Sequence, residues 1–237
     1  MCTVTFLPTG TNSFILTSNR DEHVSRPFAL PPANYQINNH VLSYPKDPLG
    51  EGTWIAAEKN KSVVCLLNGA FIPHIRNNNY RKSRGLVVLD YFHFENATDF
   101  ASNYDFENIE PFTLVIVNNN NEVVLNELRW DGEKVHLTSM DASAPAIWSS
   151  CTLYDNTIAA IRKRWFDSWL ENNSEFEFRN INEFHSTTGK DDSINGLIIS
   201  RENGMRTVSI TTINCNSLST EFHYSDIINH QQFLHVT

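Results

Sequence analysis

The chain begins MCTVTFLPTGTNSFILTSNRDE over residues 1–22. Val4 and Phe6 alternate with Thr3 and Thr5, the period of a strand with one face on a core. "TGTN" at residues 9–12 punctuates a turn, and "SFIL" at 13–16 opens a second apolar run that ends in charge at Arg20, Asp21 and Glu22. The two runs predict an antiparallel hairpin that folds the end of "NRDE" back towards the first residues. That return has a chemical consequence. Cys2 follows Met1 directly, and loss of Met1 leaves one residue with both a thiol and a free α-amine, a nucleophile and a base together. A free thiol ionises near pH ~8.5, lower beside a cation, and an α-amine near about 7.7–8.0. The amine can therefore accept the thiol proton. Asp21 can orient that amine, and Arg20 can favour the thiolate or hold a substrate oxygen. The plain reading of the same residues is a small apolar cysteine in a first strand and a solvated charge run closing the second.

Working outward, "SRPFALPPANYQ" (25–36) carries too many prolines for a helix or a central strand and predicts a surface loop. "TWIAAE" (53–58) and "KSVVCLLNG" (61–69) predict a second hairpin turning near Lys59 and Asn60. Its second strand is apolar on both faces and stops at Asn68 and Gly69. "YRKSRGLVVLDYFHF" (80–94) predicts a helix with Ser83 as N-cap. "PFTLVIVNNNNEVVLNELRWDGEKVHLTSM" (111–140) predicts a three-strand meander, with positive-φ turns expected in its asparagine run at 118–121. "LYDNTIAAIRKRWFDSWLENN" (153–173) predicts a helix with Leu153, Ile158, Ile161, Trp165 and Trp169 as its buried stripe and Arg162, Lys163 and Asp167 on its polar face. A short helix at 181–189 and strands at 205–213 and 219–225 complete the chain. Segregated antiparallel strands with helices packed on them define an α+β layered fold, expected as one domain over residues 1–237.

Composition excludes several function classes. A net charge of -9 offers no basic face to nucleic acid or anionic lipid. No apolar run is long enough to span a bilayer. The cysteines at 2, 65, 151 and 215 form no CxxC pair, which argues against structural zinc and a disulfide framework. No secretory signal is read at the N-terminus, so a cytoplasmic protein with reduced thiols is expected. No GxGxxG or Walker motif appears, and neither metal nor organic cofactor is implied.

Taken together, "MCT", "NRDE" after the second strand, the following "SRP", the "GTW" strand and the Arg84-Gly85 pair opening a helix resemble the NRDE family, also named for the transport and Golgi organisation proteins. That family in turn is similar to the cysteine N-terminal nucleophile (Ntn) hydrolases, which include penicillin V acylases and bile salt hydrolases. The resemblance implies an αββα sandwich of two antiparallel sheets flanked by helices. It implies Cys2 as nucleophile supported by Arg20 and Asp21, Asn68 in the oxyanion hole and Arg206 as a further active-site arginine. Asn19 and Glu22, within the motif, are substrate-binding candidates. Where the hydrolases place an asparagine after a second sheet strand, this chain reads "IWSSCT" and offers Ser150 instead. His74, near Arg76, Arg81, Lys82 and Arg84, is a candidate for an acidic group such as a carboxylate, phosphate or haem propionate. Two function classes follow. One is an enzyme cleaving a small-molecule linear amide through a Cys2 thioester. The other is a non-catalytic carrier of haem or a lipid or acyl-CoA-type ligand on the same fold.

Overall fold

The opening hairpin forms as its alternation predicts, with β1 (Thr3–Gly10) antiparallel to β2 (Ser13–His23) and Thr3 opposite Asn19. The structure, a computed structural model, describes residues 3–77 and 79–237. Met1, Cys2 and residue 78 lie outside the described residues, and with them the nominated nucleophile.

Two sheets are built, every pairing antiparallel. The first runs β10 (Ala146–Ser149), β1, β2, β11 (Met205–Cys215), β12 (Thr220–Asp226), β13 (Gln231–Val236). The second runs in chain order from β3 (Leu30–Ile37) and β4 (His40–Lys46) through β5 (Ile55–Glu58), β6 (Ser62–Asn68) and β7 (Phe112–Asn119) to β8 (Val123–Trp130) and β9 (Val135–Met140). Strand alternation sorts the core. Val4, Phe6, Phe14 and Leu16 meet Ile55, Val63, Cys65 and Val115 between the sheets. The opposite face of the second sheet packs on α1 (Arg84–Asp90) and α2 (Ala97–Asn103). Leu7 and Ile15, on the opposite face of the first sheet, pack on α3 (Asn156–Glu171) and α4 (Phe178–Thr187). The layers are thus helix, sheet, sheet, helix, the sandwich the resemblance implied.

Three expectations are corrected. Residues 30–37 form an edge strand, not a loop, because a register shift between Leu30 and Ala33 takes Pro31 and Pro32 out of the ladder and the outer edge needs no donor from them. The asparagine run at 118–121 supplies no positive φ; the left-handed asparagines are Asn12, Asn38, Asn60 and Asn108. In α3 the deepest side chains are Arg162 and Phe166, so Arg162 does not belong to the polar face. Its guanidinium lies 3.5 Å over the Tyr154 ring and donates to Thr3 Oγ1 and to the carbonyls of Asn195 and Gly196. Those acceptors and the π face replace the water it gives up. Lys163 remains outside, paired with Asp167.

Candidate active site

Arg20 and Asp21 are adjacent in sequence and face opposite ways. Arg20 points between the sheets, nearly buried, with its guanidinium 4.3 Å over the Trp54 ring and Nη2 donating to Asp47 Oδ2 at 3.1 Å. Arg26 donates to the same oxygen through Nε and Nη2, at 2.8 and 2.7 Å. Asp47 Oδ1 accepts the backbone N–H groups of Leu49 and Gly50. Burial pushes the Asp47 carboxyl up, but the Arg26 hydrogen bond, the Gly50 N–H and the two guanidinium charges outweigh it and leave it below the usual range. Burial lowers Arg20 against the opposing charges of Glu22 and Asp47. A guanidinium titrates so high that it stays charged at neutral pH.

Asp21 faces the helix side. Its Oδ1 accepts from Thr207 Oγ1 at 2.6 Å and its Oδ2 from Tyr154 Oη at 2.7 Å, so the carboxylate is fixed in orientation. Asn19 points the same way and is fully buried. Its Nδ2 donates to the carbonyls of His185 and Leu197, which leaves Oδ1 as the acceptor from His185 Nδ1 at 2.5 Å. That fixes the tautomer of His185: Nε2 accepts from Thr5 Oγ1 at 2.8 Å. Burial, then the charge of Arg162, drive the His185 pKa down to about 3, so the ring is neutral. Thr3 and Thr5, the first two helix-side residues of β1, are therefore each hooked to a buried polar partner. A chain terminus otherwise tends to fray.

Between the sheets and over the end of the second one lies a cleft of about 600 Å³. It is lined by Arg20, Glu22, Trp54, Asn68 and Arg84 among others. Two glycines build this wall. A Cβ at Gly52 would sit 2.3 Å from the Gly85 carbonyl carbon, and Thr53 N–H donates to Gly85 O, so the "GTW" turn and the start of α1 touch backbone to backbone. Gly69, at φ +78°, ends β6 and lets Asn68 meet the segment after β10.

The nominated residues distribute as follows. Arg20, Glu22 and Asn68 share the cleft, and the Asn68 carboxamide makes no side-chain hydrogen bond among the described residues. Arg206 lies opposite Glu22 in the β2–β11 ladder and lines a narrow adjoining cavity with Arg20; its Nε is buried with no partner among the described residues. Ser150 Oγ donates to the Asn68 backbone carbonyl at 2.8 Å and also meets Thr152, so its hydroxyl ties the two strand ends together. His74 Nε2 meets Glu110, another residue of the cleft wall, at 3.2 Å. Asn19 and Asp21 lie behind the cleft, on the helix side of β2.

Sequence reading missed Asp47, Trp54, Tyr154, Thr207 and His185. Asp47 carried a local signal, the turn-rich "KDPLG" (46–50), which marks an Asx-type turn but not its arginine partners, and Trp54 stands in the "GTW" stretch without its ring contact with Arg20 being visible there. A larger, open groove of about 1180 Å³, lined by His93, Asn96 and Glu122 among others, contains none of the nominated residues. Among the described residues no three His, Cys, Asp or Glu side chains converge as metal ligands do. No helix among them is long and apolar enough to cross a membrane.

A family model described as Transport and Golgi organisation 2 matches residues 1–225. The chain belongs to that family. The curated proteins compared with it contain no match. Solved structures similar to this family member include a Caenorhabditis elegans N-acylethanolamine-hydrolyzing acid amidase ortholog, with TM-score 0.60 and 14% identity over 90% of this chain and 92% of that one. A variant of the conjugated bile acid hydrolase from Clostridium perfringens gives TM-score 0.60 at 8% identity, over 99% of this chain and 92% of that one. Penicillin V acylase from Agrobacterium tumefaciens gives 0.54 at 8%, over 99% and 85%. At these identities the likeness is one of fold, and the fold is that of the Ntn hydrolases.

Proposed function

We propose that this Transport and Golgi organisation 2 family member is a cysteine amidase that hydrolyses a linear amide of a small molecule, with Cys2 as nucleophile once Met1 is removed. The observation that carries the reading is the register of β1. Thr3 lies between Ser149 and Asn19, so β1 starts beside the strand that supplies Arg20 and Asp21. An N-acylethanolamine-hydrolyzing amidase and a conjugated bile acid hydrolase among the structural relatives support an N-acyl amide as the substrate class.

In this mechanism the α-amine of Cys2 accepts the thiol proton and the thiolate attacks the amide carbonyl. The Asn68 carboxamide N–H donates to the oxygen that gains charge. Collapse breaks the C–N bond as the amine returns its proton to the leaving nitrogen, giving a thioester and a free amine. Water, deprotonated by the same α-amine, then releases the carboxylic acid and restores the thiol. Asp21, held by Tyr154 and Thr207, orients the amine, and Arg20, held flat by Trp54 and Asp47, favours the thiolate.

The test is hydrolysis of a panel of N-acyl amides by the wild-type protein and by Cys2→Ala. The reading expects turnover that disappears in the variant. Turnover that persists in Cys2→Ala overturns it, and saturable ligand binding with no turnover in the wild type favours the carrier reading.

A further inference from the structure

The cleft differs in charge from the rest of the molecule. The whole chain carries a net charge of -9, yet five of the residues lining the cleft are cationic and three are acidic. At its inner end the charges cancel, Arg20 and Arg26 against Glu22 and Asp47. Lys82 is answered from outside the lining by Asp90, at 2.5 Å. The outer end is different. There, among the described residues, Glu110 is the one carboxylate in ion-pair contact with Arg84, at 3.3 Å, and with Arg76, at 3.8 Å, and His74 also draws on it.

Among the described residues Arg84 makes its polar side-chain contacts through Nη1, to Glu110 Oε1 and to the Pro111 carbonyl at 3.2 Å. Its Nε and Nη2 have no hydrogen-bond partner among the described residues, and its side chain is 16% exposed. Arg76 is 77% exposed and touches Glu110 only at the limit of an ion pair. We infer that Arg84 and Arg76 form a subsite for an anionic group, a carboxylate or a phosphate, on the part of the ligand remote from the reacting carbonyl. Resting on the amidase reading for its orientation, this makes the substrate an acyl amide with an acidic terminus rather than a neutral one.

The physical reason is the state of the guanidinium groups. A guanidinium offers five N–H donors in a planar fork, and two parallel N–H bonds to one carboxylate or phosphate are among the strongest contacts a side chain makes. Arg84 is immobilised by Glu110 and Pro111 with part of its fork turned to the cleft, so little side-chain entropy remains to be lost on binding. Burial lowers the Arg84 pKa, and the charge of Glu110 only partly opposes this. A second anion restores the balance. Asn68 lines the same cleft, so the oxyanion donor and the anionic subsite face one ligand.

The test measures binding, not turnover. Calorimetric titration of the full-length Cys2→Ala protein uses N-hexanoylglycine, its neutral analogue N-hexanoylglycinamide, and N-hexanoyl-O-phosphoethanolamine. At least one of the two anionic ligands should bind ten times more tightly than the neutral one, and the advantage should shrink as salt is raised. The better of the two identifies carboxylate or phosphate. Arg76→Gln, at an exposed position that folding does not need, should cut the advantage about threefold, and the Arg76→Gln/Arg84→Gln pair should bring it within twofold of none. Equal binding of all three ligands, no binding of either anion at millimolar concentration, or an advantage that survives both substitutions overturns the subsite. A wild-type protein that discriminates anions in this way but hydrolyses no amide contradicts the amidase reading alone.

Discussion

Arg20 and Asp21 show how much one peptide bond separates in a strand. The guanidinium enters the layer between the sheets, and the carboxylate enters the layer under α3 and α4, so each is held by a different set of partners. Asp47 holds the Arg20 side, with five hydrogen bonds to its two oxygens. Asp47→Ala should destabilise the fold by about 2–4 kcal/mol in urea unfolding, since it leaves the buried Arg20 without its hydrogen-bonded carboxylate and with only the longer Glu22 pair at 3.7 Å. Lys163→Ala, which removes an exposed pair four residues apart, should cost under ~0.5 kcal/mol. His185 gives the pH dependence. Its folded pKa of about 3 lies below the ordinary 6.5, so between those values the unfolded chain binds the extra proton and stability falls as pH falls. Asp47, also depressed, acts in the same sense at the acid end. Thermal melts from pH 7 to pH 4 should show this slope, and His185→Gln should flatten it. If Asn68 supplies the oxyanion donor, Asn68→Ala should lower kcat about a hundredfold with KM little changed.

At the scale of elements, the opening hairpin, β6, the meander and α3 were legible because each follows its own local period. Thr3 and Thr5 alternate with Val4 and Phe6 whatever lies beyond them. β3 was not legible, since Pro31 and Pro32 rule out a central strand but not an edge one, and only the partner strand decides. Helical periodicity places Arg162 on a face without saying what waits there; Tyr154 lies just before the helix, but Thr3 and the carbonyls of Asn195 and Gly196 come from distant sequence. The site divides in the same way. Arg20 and Asp21 were visible as a charged cluster at a strand end, whereas Asp47, Trp54, Tyr154 and Thr207 reach them only through the tertiary fold. The contact between Gly52 and Gly85 gives a prediction at this scale. Gly52→Ala forces its Cβ into the Gly85 backbone, which cannot swing aside as a side chain can, and should lower stability by about 2 kcal/mol or more and weaken ligand binding as α1 and Arg84 shift.

For the molecule as a whole, the two sheets set one concave opening over strand ends that come from far apart in the chain. β1 and β2 bring the amino-terminal strand and "NRDE", β6 brings Asn68, and the start of α1 brings Arg84. The polar layer beneath β1 anchors the start of that strand from its helix side. The helix-side hydroxyls of Thr3 and Thr5 are bound by Arg162 and His185, and β1 is flanked by strands on both sides. The central claim is that Cys2, as the first residue of the mature chain, becomes acylated. Intact and peptide mass spectrometry of the protein, acid-quenched during turnover of an N-acyl amide, tests it directly. The account predicts a chain lacking Met1, with an acyl group on the peptide that begins at Cys2 and none in Cys2→Ala. A mature chain that retains Met1, or an acyl group found on any other residue, would contradict it.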